Sequence, residues 1–197
     1  WDQVADKIAT TGWSTAATSP ISYAYRSSNS TDPGFARFNA AQIQATELAL
    51  DLWSDVANIS FQRVTSNGTA YSNSATILFS TDTDSGGYGW AYFPGSTSST
   101  NIAGDVFINT SNGWFSDVSP GSYDFTTIIH EIGHSLGLSH PGAYNGGNPT
   151  YSNDAEYLQD SNQYTVMSYF DASATGADHG WTSASTPLLH DIAAAQL

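Results

Sequence analysis

The sequence contains no cysteine, only four lysine and arginine residues, and a single methionine. Without cysteine, neither disulfides nor thiol chemistry can contribute to the fold or to a reaction. Because cations are few and not clustered, while aspartate and glutamate number 18, the formal net charge of −14 argues against nucleic-acid binding. The same charge makes attachment to an anionic membrane surface unfavourable. It would instead attract cations such as calcium.

Long hydrophobic runs and targeting signals are also missing. No apolar run approaches the roughly 18 residues of a membrane-spanning helix. Residues 1–4 lack a basic segment followed by an apolar stretch, so no signal peptide is visible, although one could have been removed earlier. Serine, threonine, asparagine and glycine are abundant and lysine is scarce, which is typical of extracellular proteins. This composition favours a secreted protein. We also expect a monomer.

The order of predicted elements indicates an α+β fold with an α/β-like upper lobe. At 197 residues, 40% of them apolar, the chain suits one large domain with a sizeable core. Short alternating stretches predict five strands, at 20–25, 59–64, 75–80, 89–93 and 104–109. Predicted helices are a short one ending near Gly12, a long one capped by Asn39 and ending near Val56, one over 125–136 capped by Ser122 or Asp124, and one from Pro187. One long helix among several strands predicts a mixed five-stranded sheet.

Two lobes are predicted within this single domain, 1–197. The long helix carries an apolar row that we expect to pack on the sheet of the upper lobe, about 1–140. Its members are Ala45, Leu48, Leu52 and Val56, with Ala49 and Trp53 beside them. Residues 141–186 are rich in glycine, asparagine, serine, aspartate and proline and show little periodicity. They predict an irregular lower lobe, about 141–197.

The most informative stretch is 130–140, which reads H-E-x-x-H-x-x-G-x-x-H and holds three of the five histidines. Residues four apart share one face of a helix, so His130 and His134 can bind one ion together. Gly137 can end the helix in a left-handed conformation and bring His140 back towards the same ion. Three imidazoles with one open position describe a catalytic zinc site, although copper, nickel or cobalt would also accept imidazole.

Glu131 directly follows the first histidine and is predicted to face the open position rather than to bind the metal. Zinc lowers the pKa of a bound water to about 7, and a nearby carboxylate can accept the proton when that water attacks a polarised carbonyl. Glu131 could then pass the proton to the leaving amine. The pattern therefore predicts hydrolysis of an amide bond.

Two other interpretations of the motif compete with amide hydrolysis. A helix can carry histidines for packing or surface reasons, but Gly137 and His140 at fixed spacing make coincidence a poor explanation. A catalytically silent zinc-bound domain could serve as a binding or maturation module. The intact Glu131 and Tyr169 and the open coordination position argue against it.

A second segment gives the chain a family resemblance. Met167, the only methionine, lies in the sequence Tyr-Thr-Val-Met-Ser-Tyr at 164–169. The eleven-residue motif followed by a methionine turn resembles the metzincins. Pro141 after the third histidine, the Met-Ser-Tyr sequence and the segment 187–194 resemble the serralysins, a family of secreted bacterial zinc endopeptidases. Another metzincin branch is the alternative among enzymes, and Pro141 argues against it, as do Ser168 and Tyr169 after Met167.

The resemblance implies a role for each residue of the motif. The three histidines would bind zinc, Glu131 would be the general base, and Met167 would form an apolar floor beneath the metal. Tyr169 would either bind zinc as a further ligand or swing away to hydrogen-bond the tetrahedral intermediate, as a phenol can. The family also implies protein and peptide substrates, broad cleavage preference and inhibition by a small protein.

The resemblance further implies a substrate cleft between the two lobes, in which the edge strand of the upper sheet pairs with an extended peptide. We place this edge at Trp90, Ala91 and Tyr92, before Pro94. Core packing is a serious alternative for the two aromatic side chains.

The chain departs from the family pattern in several places. His190 stands where the family carries an acidic residue, which puts a structural role of that position in doubt. His179 and His190 could form an accidental second metal site, but isolated histidines are the simpler interpretation.

Residues 82–87 weakly suggest calcium binding, and a solvated turn is the better explanation. The family's C-terminal calcium-binding β-roll and secretion signal are absent from this sequence, so we expect either a truncated catalytic domain or a family member with a different tail. Calcium is expected mainly in such a roll, if one exists.

Overall fold

The computed structural model describes residues 3–9, 19–83, 87–95 and 102–197, and the structural statements below concern these residues. Their helices are α1 (Gln3–Ile8), α2 (Ala40–Val56), α3 (Tyr123–Leu136), α4 (Tyr151–Asp154) and α5 (Leu189–Ala195). Their strands are β1 (Ile21–Tyr25), β2 (Phe61–Arg63), β3 (Ile77–Asp82), β4 (Gly89–Ala91) and β5 (Val106–Asn109). Short 3-10 segments occupy Ser111–Gly113 and Ala172–Thr175.

The strands form one mixed sheet in the order β2-β1-β3-β5-β4. Neighbouring strands are parallel except β4, which runs antiparallel to β5 and forms an edge. All six residues of the central strand β3 are buried, as expected for a parallel strand covered on both faces, whereas β4 is half-buried. The predicted α+β fold with a mixed five-stranded sheet is confirmed.

Element boundaries differ from the predicted ones in a few places. β2 and β4 are only three residues long, shorter than the stretches that alternate in the sequence. The last helix begins at Leu189 instead of Pro187, because the side chain of Asp191 accepts the N–H of Leu188 and caps the helix there. The short helix α4 was not predicted, since its four residues carry no periodic signal. Gly12, the predicted end of the first helix, lies outside the described residues.

The predicted cap of α2 is confirmed. Asn39 Oδ1 accepts the N–H of Gln42 at 3.0 Å, and Gln42 Oε1 accepts the N–H of Asn39 at 2.9 Å. This reciprocal pair satisfies two of the backbone donors that a helix leaves unpaired at its start. The predicted start of the helix therefore follows from local side-chain chemistry.

The predicted apolar row of α2 is partly wrong. Leu48 is 41% exposed, while Trp53, which was placed beside the row, is fully buried. The buried face of the helix also includes polar residues; its members are Gln42, Ala45, Thr46, Ala49, Leu50 and Trp53. The face is rotated because α2 packs against α3, where Trp53 Nε1 donates a hydrogen bond to the Ile129 carbonyl at 3.2 Å.

The helix α3 is fixed at its start and along its buried face. Ser122 Oγ accepts the N–H of Phe125 at 3.0 Å, so Ser122 is the cap. Phe125, Ile128, Ile129 and Ile132 are buried in the core against α2 and the sheet. This packing orients the remaining face, which carries the histidines. Within the part of the chain that the structure describes, no helix is both long and apolar enough to cross a bilayer.

The cap of α2 yields a test of the fold. Asn39→Ala removes the side-chain acceptor for Gln42 N–H, so we expect the free energy of unfolding to fall by about 1 kcal/mol. Urea denaturation followed by circular dichroism measures it. Asn39→Ser is the matched control, because serine caps helices about as well and should restore most of the loss. Equal stability of the alanine and serine variants would contradict this role.

Candidate active site

A cleft of about 490 Å³ lies between the edge strand, α3 and the segment that follows α3. Gly89, Trp90, Ala91 and Phe93 line it from the edge strand side, and all three motif histidines and Glu131 line it from α3 and the segment after it. Tyr169 and residues 142–145 also line the cleft. The structure therefore brings the three histidines, Glu131, Tyr169, Trp90 and Ala91 together in one open groove.

The three histidine side chains converge on one point. His134 Nε2 lies 3.0 Å from His140 Nε2, which lies 3.3 Å from His130 Nε2. Nitrogens bound tetrahedrally to zinc at about 2.0–2.1 Å are about 3.3 Å apart, so these separations fit one zinc ion. Among the residues that the structure describes, these three are the one group of three or more histidine, cysteine or carboxylate side chains that could hold a metal.

Each imidazole is oriented by a backbone carbonyl. The Nδ1 atoms lie 2.7 Å from the Val166 oxygen for His130, 2.6 Å from Leu138 for His134 and 2.9 Å from Tyr144 for His140. A carbonyl only accepts, so Nδ1 must carry the proton and donate. Each Nε2 then keeps its lone pair for a metal. This is the usual tautomer of a histidine ligand whose other ring nitrogen donates a hydrogen bond to the protein.

The electrostatic environment keeps these imidazoles neutral. Burial lowers the pKa of His130 to about 4 and that of His140 to about 3. The pKa of His134 is also lowered well below its ordinary value, by burial first and then by the two neighbouring histidines. Neutral imidazole is the form that binds a metal, so the site needs no deprotonation near pH 7.

Gly137 makes the return of the third histidine possible. It adopts φ 108°, a left-handed conformation that glycine tolerates best. The N–H of Leu138 donates to the Gly133 carbonyl at 2.9 Å and that of Gly137 to the His134 carbonyl at 3.0 Å, which closes the helix end. The reversed chain then supplies both the Leu138 carbonyl and His140. The role predicted for Gly137 matches its geometry.

Glu131 lies beside the histidines with its carboxylate in the cleft wall. Its side chain is buried, and Oε2 has no hydrogen-bond partner among the described residues. A Cβ placed on Gly89 would lie 3.2 Å from Oε1, so the backbone of the edge strand comes against the carboxylate. Burial raises the pKa of Glu131 to about 8. A cation bound by the histidines would oppose this shift.

The methionine turn supports α3 from below. Met167 is fully buried, and its sulfur would lie 2.7 Å from a Cβ placed on Gly133, which stands between the first two histidines. The neighbouring Val166 carbonyl accepts the proton of His130 Nδ1. The position of Met167 matches the floor that the family resemblance implies.

A buried carboxylate fixes this turn, and the sequence analysis missed it. Asp191 is fully buried and accepts hydrogen bonds from Thr165 Oγ1 at 2.5 Å, Val166 N at 2.8 Å and Leu188 N at 2.8 Å. Asp191 therefore holds Val166, the residue whose carbonyl orients His130. The acidic residue expected at 190 stands one position later, and His190 is buried beside Tyr164.

A second buried carboxylate links the third histidine to the same turn. Asp160 Oδ1 accepts hydrogen bonds from Tyr144 Oη and Ser168 Oγ, both at 2.7 Å. Tyr144 in turn supplies the carbonyl for His140, and Ser168 lies between Met167 and Tyr169. Asp160 was not identified from sequence, because its stretch of chain carries no recognisable motif.

Tyr169 lies at the metal site but its hydroxyl points to the segment after the third histidine. Its ring centroid is 4.4 Å from that of His140 and 6.1 Å from that of His130. The hydroxyl accepts the N–H of Gly146 at 3.3 Å, and the side chain is 40% exposed. A half-exposed phenol held by one long hydrogen bond can move towards the cleft.

The three residues proposed for substrate binding divide between two faces of the sheet. Trp90 stacks on Phe107 with ring centroids 4.9 Å apart, and Tyr92 packs edge-on against the same ring. Tyr88 and Tyr92 use their backbone groups to pair with β5, so alternation turns the N–H and C=O of Gly89 and Ala91 outward. Ala91 is thus best placed for backbone pairing, and Tyr92 does not line the cleft among the described residues.

The two weaker metal predictions remain without support. His179 is exposed whereas His190 is buried, and the one metal-competent group among the described residues contains neither. The suggested calcium segment, 82–87, includes residues 84–86, which lie outside the described residues.

Comparison with known proteins agrees with this geometry. The family model described as matrixin, Peptidase_M10, matches residues 13–162. The chain is 42% identical over 175 residues to "Serralysin C" of Dickeya chrysanthemi, covering 87% of this chain and 36% of that protein. It is 40% identical over 168 residues to "Serralysin" of Photorhabdus sp. (strain Az29), and 40% over 171 residues to "Metallopeptidase AprA" of Pseudomonas marginalis. These matches cover 83% of this chain in both cases and 34% and 35% of the relatives.

The chain therefore belongs to the matrixin family of the metzincins. Within it, the similarity to serralysins over most of the chain identifies a serralysin-type catalytic domain. The chain spans about a third of the length of these relatives. The family and the histidine triad together support zinc as the metal.

The support from Asp191 can be tested by its effect on the metal. Asp191→Asn replaces one acceptor oxygen by an N–H₂ group that faces donors, so we expect zinc affinity to fall about 10-fold to 100-fold. Competition with a zinc-binding dye measures it. Asp171→Asn, an exposed carboxylate on a 3-10 segment, is the control for charge and should leave zinc affinity unchanged. Equal affinity of both variants would contradict the assignment.

Proposed function

We propose that the chain is the catalytic domain of a secreted zinc endopeptidase that hydrolyses internal peptide bonds of proteins. The observation that carries the proposal is the convergence of three neutral imidazoles, with His140 Nε2 at 3.0 Å and 3.3 Å from the other two Nε2 atoms, beside a buried carboxylate. Both lie at the wall of a cleft bordered by an edge strand. The serralysin names of its relatives support the same activity. A catalytically silent zinc domain would not require an unpaired carboxylate at this place.

The residues of the chain would share the work as follows. His130, His134 and His140 hold zinc, which when bound lowers the pKa of water to about 7 and polarises the scissile carbonyl. Glu131 accepts a proton from the attacking water and returns it to the leaving nitrogen. Oε2 of Glu131 has no partner within the part of the chain that the structure describes. This supports the role, because a buried acceptor without a donor is costly unless a ligand uses it.

Substrate would bind by strand addition at β4. Gly89 and Ala91 present outward backbone groups, and an extended peptide can pair with them as a sixth strand. Such pairing holds the scissile peptide against Glu131, since Gly89 lies beside its carboxylate. Tyr169 would then donate its hydroxyl hydrogen to the oxyanion of the tetrahedral intermediate, leaving Gly146.

The proposal has further parts that rest on the family resemblance alone. We propose that the protein acts outside the cell as a monomer, has a broad cleavage preference, and is inhibited by a small protein inhibitor. It assigns calcium no part in the catalytic step.

The general base has a direct test. Glu131→Gln keeps the shape of the side chain but removes the proton acceptor, so we expect kcat/KM on casein or a fluorogenic peptide to fall about 10²-fold to 10⁴-fold. Zinc content, measured by atomic absorption, should stay at one ion per chain. Glu131→Ala should lose as much, and chelation of zinc should abolish hydrolysis by the parent enzyme. Unchanged hydrolysis in either variant would refute the mechanism.

The phenol of Tyr169 needs its own experiment. Tyr169→Phe keeps the ring against His140 and removes only the hydroxyl, so zinc content should be retained. We expect kcat to fall about 10²-fold with little change in KM, because the hydrogen bond to the oxyanion matters chiefly in the transition state. Steady-state kinetics separates the two constants. Full turnover with bound zinc would exclude this role for Tyr169.

A further inference from the structure

The chain places its only lysine at the cleft. Lys7 lines the groove together with Ser139 and the motif histidines. By contrast, Arg26 and Arg63 each form an ion pair with a carboxylate away from the cleft. A protein with a net charge of −14 thus puts one of its four lysine and arginine side chains where substrate would lie.

The backbone that carries Lys7 is tied to the segment of the third histidine. The N–H of Ser139 donates to the Ile8 carbonyl at 2.7 Å, and Ser139 Oγ lies 3.2 Å from the Lys7 carbonyl. Ala9 forms an antiparallel bridge with Leu138, and Ile8 is fully buried. The helix α1 is therefore anchored at the part of the cleft that Ser139 lines, and Lys7 lines the same part.

The ammonium group is available to a substrate. Lys7 Nζ lies 3.2 Å from Glu156 Oε2, and the two side chains are 43% and 38% exposed. An ion pair this exposed to solvent contributes little free energy, because water competes for both charges and the two long side chains lose conformational freedom. An ammonium also has three donors, so a second carboxylate can join or replace Glu156.

The edge strand shows which part of a substrate lies near this group. Along β4 the chain runs from Gly89, beside Glu131, towards Phe93, whose ring packs on His134 at 5.5 Å. An added peptide in the antiparallel orientation, which β5 already adopts on the other side, runs from the Phe93 end to the Gly89 end.

The C-terminal end of α3 relates α1 to the Phe93 end of the strand, because the Phe93 ring packs on His134 in the last turn of α3. Ser139, which binds the backbone around Lys7, follows the C-terminal end of α3 and comes after His134. In the antiparallel orientation this end receives the residues on the amino side of the scissile bond. A carboxylate in that part of the peptide would therefore approach the ammonium group.

We propose that Lys7 is a specificity-determining residue that favours an acidic side chain on the amino side of the scissile bond, an inference that rests on the proposed endopeptidase function. The preference is modest, about twofold to fivefold in kcat/KM, as for other solvent-exposed ion pairs. It biases a broad cleavage preference without replacing it.

The test uses the zinc-loaded enzyme and a fluorogenic peptide that it cleaves at one bond. Glutamate or glutamine is placed in turn at each of four positions on either side of that bond, and the ratio of kcat/KM for the glutamate and glutamine peptides is measured. We expect a ratio of about threefold at one amino-side position, falling as salt rises. Lys7→Gln should bring the ratio to about one and Lys7→Glu should invert it, whereas Glu156→Gln should raise it.

A matched control removes the same charge elsewhere. Arg37→Gln eliminates a cation whose Nε bonds to the Ser27 carbonyl and which does not line the cleft among the described residues, so the ratio should not change. An equal ratio in the parent enzyme and Lys7→Gln, an equal effect of Arg37→Gln, or a Lys7-dependent preference confined to the carboxyl side would overturn the inference. Failure to cleave any peptide, including the glutamine forms, would instead refute the endopeptidase proposal itself, and this inference with it.

Discussion

The hydrogen bond from each histidine Nδ1 to a backbone carbonyl is the constraint on which the site depends. Three imidazole lone pairs brought within 4.8 Å of one another repel, and without the carbonyls the rings could turn away. The carbonyls of Val166, Leu138 and Tyr144 hold the rings in place and fix the tautomer. The backbone of two segments, the one after α3 and the methionine turn, thus fixes the orientation of all three metal-binding side chains.

Two of these carbonyls lie in the part of the chain with little regular structure. A segment without helix or strand must satisfy its backbone groups by other means. Here Asp191 and Asp160 do so, each accepting several hydrogen bonds inside the protein. Burial opposes their charge, and it raises the pKa of Asp191 to about 6 despite the hydrogen bonds that lower it. The buried carboxylates therefore fix the methionine turn at the cost of the desolvation free energy of their charges.

The sheet contributes through its order. Because β4 is the last strand, its outward backbone groups face the cleft, and α3 lies beneath it with Glu131 against Gly89. The reactive groups and the surface that can hold an extended peptide are therefore adjacent. The N-terminal helix completes one end of this groove through its bonds to Ser139, which places a lysine there.

The sequence by itself determined the features that depend on local spacing. The histidine positions, Gly137 and the caps Asn39 and Ser122 follow from residues at most a few turns apart, and the strands follow from alternation within each stretch. Only the tertiary structure decided which face of α2 is buried, which acid supports the methionine turn, and that Lys7 reaches the cleft. These depend on contacts between distant segments, such as Ile8 with Ser139 and Val166 with Asp191, which leave no periodic or motif signal in the chain.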